Sequence, residues 1–288
     1  MEWNKTKTIF ILAFLVLDIF LGFQYFEKRS TDHFAIIEKT DTLEEMKEDG
    51  IKYGNLSDEA KIGYRITAEK KQYTKKDVDG LADQKAKSTF LPKTDKDNPV
   101  TLLEMTFNKP VALPKKDTKT AATNLVNQRL LDGKNYKLWS MDEETGKIVF
   151  FQTYKGKYIF QEGLDDTETI GKITLNLNDQ NEVVSYQQSM VTSINEVRKE
   201  TLVPALETVK DLYTQNMLSP YTTVKKVELG YYTQYPGAST QVMVPVWRVE
   251  LAGVVAGSKK KTEEEFLINA IDGSTLDHIE KDDKSSME

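Results

Sequence analysis

The chain has 288 residues but no cysteine and only two histidines, His33 and His278. The absence of cysteine excludes disulfides, thiol catalysis and thiolate metal sites. Two histidines cannot supply a site that requires several imidazoles. Common motifs are missing as well, because the sequence contains no GxGxxG, Walker, GxSxG or HExxH pattern. We therefore predict no catalytic residue, no metal site and no cofactor, and we expect that the protein is not an enzyme.

The charge balance also limits the kind of partner. The 39 basic and 45 acidic residues give a formal net charge of −6, and the two signs are mixed along most of the chain. Such a distribution disfavours nucleic-acid binding, which needs a basic face. A hydrophobic content of 39%, with thirteen tyrosines and twelve phenylalanines, is typical of a folded protein.

One long apolar run is present, from Ile9 to Phe26. As a helix it would span roughly 27 Å, close to the thickness of a bilayer core. Bulky and then charged residues follow it, whereas a signal peptidase site needs small residues. We therefore predict an uncleaved transmembrane anchor. The aromatic residues Trp3, Tyr25 and Phe26 are typical of the membrane interface.

The orientation of this anchor is less clearly marked. Lys5 and Lys7 flank one end and Lys28 and Arg29 flank the other, so the positive charges are nearly balanced. We expect a single-pass protein of the cell membrane with a cytoplasmic N-terminus and an extracytoplasmic main domain. This choice rests on the short head and on the exported character of the larger part. The reverse orientation stays open.

Asp18 interrupts the apolar run near its middle. A carboxyl group at this depth costs on the order of 2.5–3.5 kcal/mol for insertion. A hydrogen bond to a neighbouring transmembrane helix would offset that cost, and a small residue one turn away favours close packing. The predicted contact stripe is Ile11, Leu15, Asp18, Gly22 and Tyr25. The alternative is that Asp18 is protonated or that the helix shifts to relieve it.

Beyond residue 30, the order strands, helix and three-strand meander occurs twice. A short helix from Thr42, as N-cap, to Gly50, as C′ residue, precedes the first unit. The predicted helices of the two units are Asp117–Leu131 and Leu202–Met217. The predicted strands are Tyr64–Tyr73, Val100–Leu113 (with a turn near Asn108–Pro110), Tyr136–Met141, Lys147–Tyr154, Lys157–Gln161, Gly171–Leu177, Glu182–Val191, Thr223–Tyr235, Gln241–Ala252 and Lys261–Asn269.

This order predicts an α+β fold of two subdomains, each an antiparallel sheet with a helix. The predicted organisation is a cytoplasmic head and transmembrane anchor at 1–30, a first domain at 31–165, a second domain at 166–279 and a disordered tail at 280–288.

An aromatic stripe is the most distinctive part of the second domain. We predict a partner surface formed by Tyr231, Tyr232, Tyr235, Pro245 and Trp247. Pro245 favours an edge strand, where another chain can add. The alternative is that the stripe forms the core of the sheet.

Two other functions stay open. The chain has several acidic pairs, among them Glu143-Glu144, but no pattern selects two carboxylates for glycoside hydrolysis. A membrane-tethered cell-wall hydrolase or its inhibitor would show converging carboxylates in a cleft. A domain that senses a wall fragment or peptide would show a deep apolar pocket with a few polar groups.

Two segments resemble a known family. The opening residues Met1–Leu12 and Phe14–Leu21 are similar to the N-terminus of the YycI (WalI) family of Gram-positive bacteria, including its mid-membrane acid. Val244–Val249, Glu265–Ala270 and Asp272-Gly273 resemble the family's C-terminal strands, and that strand pair is also similar to PepSY-like modules.

The resemblance implies a non-catalytic accessory protein of the WalK–WalR two-component system, which governs cell-wall metabolism. It implies one transmembrane helix, an exported domain, and association with the sensor kinase WalK and with a YycH-like (WalH) protein. Members of the family differ in whether they restrain or assist the kinase, so the resemblance does not give the sign of regulation.

Overall fold

The computed structural model describes residues 3, 7, 10–21, 42–87, 100–160, 170–233, 235, 238–254 and 261–282. The chain divides into two compact units. One comprises Met1–Lys52 and Lys210–Thr223, and the other comprises Tyr53–Val209 and Val224–Glu288.

Helices are few. Residues 10–21 and 42–48 are helical, and three further helices are Lys75–Asp79, Thr118–Arg129 and Ala205–Thr214. The strands are β1 (Lys61–Lys70), β2 (Gln84–Ala86), β3 (Leu103–Ala112), β4 (Tyr136–Asp142), β5 (Lys147–Tyr154), β6 (Lys157–Phe160), β7 (Lys172–Leu177), β8 (Glu182–Gln188), β9 (Val191–Leu202), β10 (Thr223–Tyr232), β11 (Thr240–Val254), β12 (Lys261–Asn269) and β13 (Thr275–Asp282). The predicted α+β class is confirmed.

These strands form one mixed sheet rather than two separate antiparallel ones. Its order is β13-β12-β11-β10-β6-β5-β7-β8-β3-β2, while β1 pairs with β9 and β11, and β4 pairs with β5. The prediction of two separate sheets is wrong, because β10 and β6 join in a short parallel pairing in which Tyr231 lies opposite Ile159. A parallel contact between distant strands leaves no signal in local sequence patterns.

Strands from both sides of the predicted boundary near residue 165 pair with one another. β5 pairs with β7, and β3 pairs with β8. The boundary itself lies outside the described residues, so the division into domains at that point stays a prediction. The likeness of the C-terminal strands to PepSY modules also stays a prediction.

The helix Thr118–Arg129 forms where the sequence predicts one. Its apolar residues Ala122, Leu125 and Val126 fall on one stripe and are buried. They pack in a core with Phe150 and Tyr186, which come from the β5–β7–β8–β3 part of the sheet. Burial of this stripe, rather than a capping side chain, stabilises the helix, because Asp117 makes no cap hydrogen bond.

Three strand predictions need correction. The turn predicted near Asn108–Pro110 is a bulge within the continuous strand β3, whose pairing with β8 shifts between Thr106 and Val111. β9 was not predicted, because its exposed, charged sequence lacks alternation, and its partner β1 lies far away in sequence. β13 reaches Asp282, so residues 280–282 of the predicted disordered tail are a strand.

Two short helices end in the same way. At the end of helix 42–48, the amide of Ile51 donates to Met46 O and the amide of Gly50 donates to Lys47 O. At the end of Ala205–Thr214, the amide of Met217 donates to Leu212 O and that of Asn216 to Tyr213 O. Both patterns are Schellman motifs, with Gly50 and Asn216 at positive φ. The predicted C′ role of Gly50 is confirmed, whereas Thr42 lies within the helix and does not precede it as an N-cap.

Candidate functional site

The described part of the N-terminal helix exposes apolar side chains on every side. Over residues 10–21, the exposed fractions of the large apolar side chains range from 47% for Leu17 to 67% for Ile11. Of the predicted contact stripe, Ile11, Leu15 and Asp18 lie on this helix and are exposed. Gly22 and Tyr25 lie outside the described residues. Within the described residues, no helix combines the length and the apolar character that a membrane crossing requires.

The predicted aromatic surface is largely interior. Tyr231 and Trp247 are 3% and 5% exposed, and Pro245 is buried as well. Trp247 Nε1 donates to Val203 O at 2.8 Å, which satisfies its only donor inside the fold. The prediction of an exposed surface is therefore wrong for these three residues, for which the alternative of a sheet core holds. Tyr235 is 77% exposed and Tyr232 is half-buried.

The edge position inferred from Pro245 is also wrong. β11 pairs with β1 up to Met243 and with β12 from Val246 onwards. Pro245 lies between these two ladders, where the lack of an N–H breaks neither of them, and its carbonyl accepts from Ala270 N at 3.0 Å. From the sequence alone, a proline between two ladders of one strand cannot be distinguished from a proline on an edge strand.

The structure brings together a charged cluster that the sequence reading missed. Arg248 on β11 has a side chain only 5% exposed, and it pairs with Glu265, Glu228 and Glu250. Its Nη2 donates to Glu265 Oε2 at 2.5 Å and its Nε to the other oxygen of the same carboxylate, so the pair is bidentate. Lys226 also contacts Glu228, at 2.8 Å.

Trp139 covers the guanidinium group of Arg248. The guanidinium carbon lies 3.8 Å from the ring centre, a cation–π contact. Trp139 is the extra residue of a β-bulge, since Leu138 and Ser140 pair with the adjacent residues Phe150 and Val149. A bulge re-aims its side chain, which explains why the ring faces Arg248. The ring also contacts Phe151, Tyr158 and Phe160.

Electrostatics fix the charge of this cluster. Burial alone would lower the pKa of Arg248, but the hydrogen bond with Glu265 and the charges of Glu265, Glu250 and Glu228 raise it instead. An arginine that stays charged orients and neutralises carboxylates and does not exchange protons near neutral pH. The cluster therefore joins three strands rather than providing acid–base chemistry. The sequence signal for it was an arginine inside the apolar run Val244–Ala252.

A polar cleft of about 540 Å³ lies between two hairpin turns. The β4–β5 and β7–β8 turns line it with Asp142, Glu143, Glu144 and Asp179, over an apolar floor that includes Ile148. Asp142 Oδ1 accepts from the amides of Glu144 and Thr145, so this carboxylate stabilises its own turn. The volume falls in the range of ligand pockets. Among the described residues, no group of three or more acidic or histidine side chains could hold a metal ion.

Comparison with known proteins yields one family. The YycI protein family matches residues 31–271. No curated protein matches the chain. Among solved structures, the chain is similar to the crystal structure of an uncharacterized protein from Eubacterium rectale ATCC 33656. The two share 10% identity over 80% of this chain and 91% of that chain, with a TM-score of 0.45.

The family is a regulatory one linked to the YycFG two-component system, and it is not known for enzymatic activity. The matched range includes Val244–Val249 and Glu265–Ala270, whereas residues 1–21 lie outside it, so the resemblance of the N-terminus stays a prediction. The predicted family is confirmed, and the chain belongs to the YycI family.

Proposed function

We propose that this protein is a non-catalytic regulator that is anchored in the cell membrane by its N-terminal helix and contacts the sensor kinase WalK and a YycH-like protein. The main domain lies outside the cell and the N-terminus in the cytoplasm. One observation carries the proposal: the helix over residues 10–21 exposes large apolar side chains on all of its sides.

A helix that is apolar all round is not stable in water, because none of its faces is solvated favourably. Lipid and the helices of a partner are the surroundings that suit it. Asp18 lies among these apolar side chains. In lipid its carboxyl group gains most from a hydrogen-bonding partner on another helix, which makes Asp18 the centre of the proposed contact with WalK or the YycH-like protein.

Regulation then follows from differential binding. A kinase that exchanges between two signalling states is shifted toward the state to which the regulator binds more tightly. Contacts of the helix within the membrane, together with those of the exported sheet, supply this difference in free energy. Tyr235 and Tyr232, which keep exposed surface, belong to the proposed exported contact.

Co-purification from membranes tests this proposal. The full-length protein is extracted in mild detergent as wild type, Asp18→Leu and Asp18→Asn. Phe20→Leu is the control, because Phe20 lies about 200° around the helix from Asp18. We expect wild type and Phe20→Leu to recover WalK and the YycH-like protein. Asp18→Leu loses them, and Asp18→Asn, which can still form a hydrogen bond, retains a part.

Two other results of the co-purification would contradict the proposal in part or as a whole. Equal recovery with Asp18→Leu and wild type would move the contact from the helix to the exported sheet. Recovery of neither partner with wild type would contradict the proposed function, and the functions left open by the sequence, ligand sensing and wall hydrolysis or its inhibition, would then be tested at the 540 Å³ cleft.

A further inference from the structure

Residues 46–52 are hydrogen-bonded to residues 213–223. Met46 is fully buried and Ile51 nearly so, at 0% and 6% exposure. These residues are the C3 and C″ positions of the Schellman motif that ends helix 42–48, where a contact between apolar side chains is common. Both segments belong to the same compact unit.

Asp49 makes two of the hydrogen bonds between these segments. Its Oδ2 accepts from the hydroxyl of Tyr213 at 2.9 Å, and its backbone carbonyl accepts from the amide of Tyr221 at 2.8 Å. The hydrogen bond to Asp49 raises the pKa of Tyr213. A third bond runs from Lys52 N to Thr222 O at 2.9 Å, and Lys52 forms an isolated parallel bridge with Thr223. We call residues 46–52 and 213–223 the stalk latch.

Tyr221 holds an unfavourable backbone conformation within this latch. Its φ is +65°, in the left-handed region that bulky residues rarely adopt. Its side chain is 74% exposed, so burial does not hold it there. Its ring lies instead against Gly50, where an added Cβ would come within 2.7 Å of Tyr221 Cδ1. The conformation of Tyr221 therefore depends on a closed latch, and strain of this kind is typical of switch regions.

We propose that the stalk latch is a conformational switch whose opening moves the start of β10. Its physical basis is the direct continuation of the latch into this strand, because Thr223 ends the latch and is the first residue of β10. When the three hydrogen bonds break, Tyr221 relaxes to negative φ, and this rotation moves the start of β10. Relief of the strained Tyr221 backbone offsets part of the free energy that opening costs.

The mechanism deepens the proposed function, on which its role in signalling rests, but the opening itself belongs to this chain alone. Hydrogen–deuterium exchange on the purified full-length protein in detergent measures it without any partner. The latch amides are those of Tyr221 and Lys52, and the reporter amides are those at the start of β10. The variants are Tyr213→Phe, which removes only one hydroxyl, and Gly50→Ala, which places a Cβ at a positive-φ position and forces the ring of Tyr221 away.

In both variants we expect the latch amides and the reporter amides to exchange about tenfold faster, the factor for loss of one net hydrogen bond. The controls are Tyr186→Phe, which removes a hydroxyl that donates to Gln84 Oε1 in the other compact unit, and Gly156→Ala, which is also at positive φ but where an added Cβ meets no atom within 4 Å. Both should leave the exchange unchanged. Faster latch amides with unchanged β10 amides would overturn the switch, as would unchanged exchange at both places. Tyr213→Phe gives the answer even if Gly50→Ala does not fold.

The signalling role is read in cells, from a reporter of the two-component system. Tyr213→Phe should change its output at least about twofold while the co-purification of WalK stays at the wild-type level, and Tyr186→Phe is the control, because it removes a hydroxyl from the other compact unit. Unchanged output with faster exchange would reduce the latch to a structural joint and overturn its regulatory role. Loss of WalK from the wild-type preparation would contradict the proposed function instead, and the exchange experiment would still decide whether the latch opens.

Discussion

The guanidinium carbon of Arg248 lies 3.8 Å from the centre of the Trp139 ring, while the same group forms a bidentate pair with Glu265. One side chain thereby links the bulged strand β4 to β11 and β12. Glu265 is 1% exposed, and both of its carboxylate oxygens accept hydrogen bonds from Arg248. The arrangement makes Arg248 a point where a small chemical change has a large effect on stability.

Replacement of Arg248 by methionine should destabilise the protein by about 3–5 kcal/mol, because it removes the bidentate cationic partner of the buried carboxylate of Glu265. Urea unfolding of the full-length protein measures this loss. The double variant Arg248→Met with Glu265→Leu removes both charges, and it should recover most of the lost free energy. If the double variant were as unstable as the single one, the loss would come from packing on Trp139 and not from the broken ion pair.

Gly230 lies directly beneath the ring of Phe160, and an added Cβ would come within 2.1 Å of Phe160 Cε2. Because Phe160 is 2% exposed, its ring cannot turn out into solvent. Gly230→Ala should therefore cost about 1–3 kcal/mol in the free energy of unfolding. Gly80→Ala is the matched control, since nothing lies within 4 Å of an added Cβ there. A loss of the same size in both variants would contradict the steric explanation.

Tyr136 donates from its hydroxyl to Ser189 O at 2.6 Å in the core. Tyr136→Phe should lose about 1–2 kcal/mol at pH 8, because Ser189 O loses a buried donor. Burial raises the pKa of Tyr136 in the folded state. Its contribution to stability is therefore complete below the ordinary phenol pKa of about 10, and it is lost as the pH rises through the higher folded pKa.

Denaturant unfolding between pH 8 and pH 11 measures this dependence. The stability of the wild type should fall more steeply above about pH 10 than that of Tyr136→Phe, which lacks one titrating phenol. Equal slopes for the two proteins would show that this hydroxyl does not titrate differently in the folded state.

Deletion of residues 2–21 should transfer the protein from the membrane fraction to the soluble fraction of the cell. The reason is that the described part of this region is a helix with exposed apolar side chains, which lipid would cover. Carbonate extraction followed by immunoblotting measures the distribution. Phe20→Leu keeps the apolar character and should stay in the membrane fraction. A truncated protein that stayed in the membrane fraction to the same extent would rule out this helix as the anchor.

Local patterns in the sequence predicted most of the regular elements. The stripe of Ala122, Leu125 and Val126 marked one helix, and the turn around Gly146 marked the hairpin between β4 and β5. Both elements depend on interactions between residues a few positions apart, so the local sequence is enough to predict them. β9 could not be predicted in this way, because the charged residues of an exposed strand obscure the alternation of apolar and polar positions. Its pairing with β1 also joins residues more than a hundred positions apart, such as Arg65 and Arg198.

The sequence likewise indicated only a part of each candidate site. An arginine in the apolar run around Trp247 was visible in the sequence, but its partners Glu228 and Glu265 were not, because they lie on other strands. The sequence predicts Trp247 in a partner surface, whereas the structure places it in the core. The local sequence around an aromatic strand residue does not show whether its face of the sheet is buried or exposed. Only the neighbouring strands decide which face is covered.

The sequence by itself excluded cysteine chemistry and determined the apolar N-terminal run with Asp18, the α+β class and the family. These follow from composition, local periodicity and motifs, which need no knowledge of distant contacts. Only the tertiary structure decided the parallel joint between β10 and β6, the bulge that turns Trp139 onto Arg248, and the latch between Asp49 and Tyr221. Each of these joins residues far apart in the chain, and the free energy that selects such a pairing arises only when the whole fold brings them together.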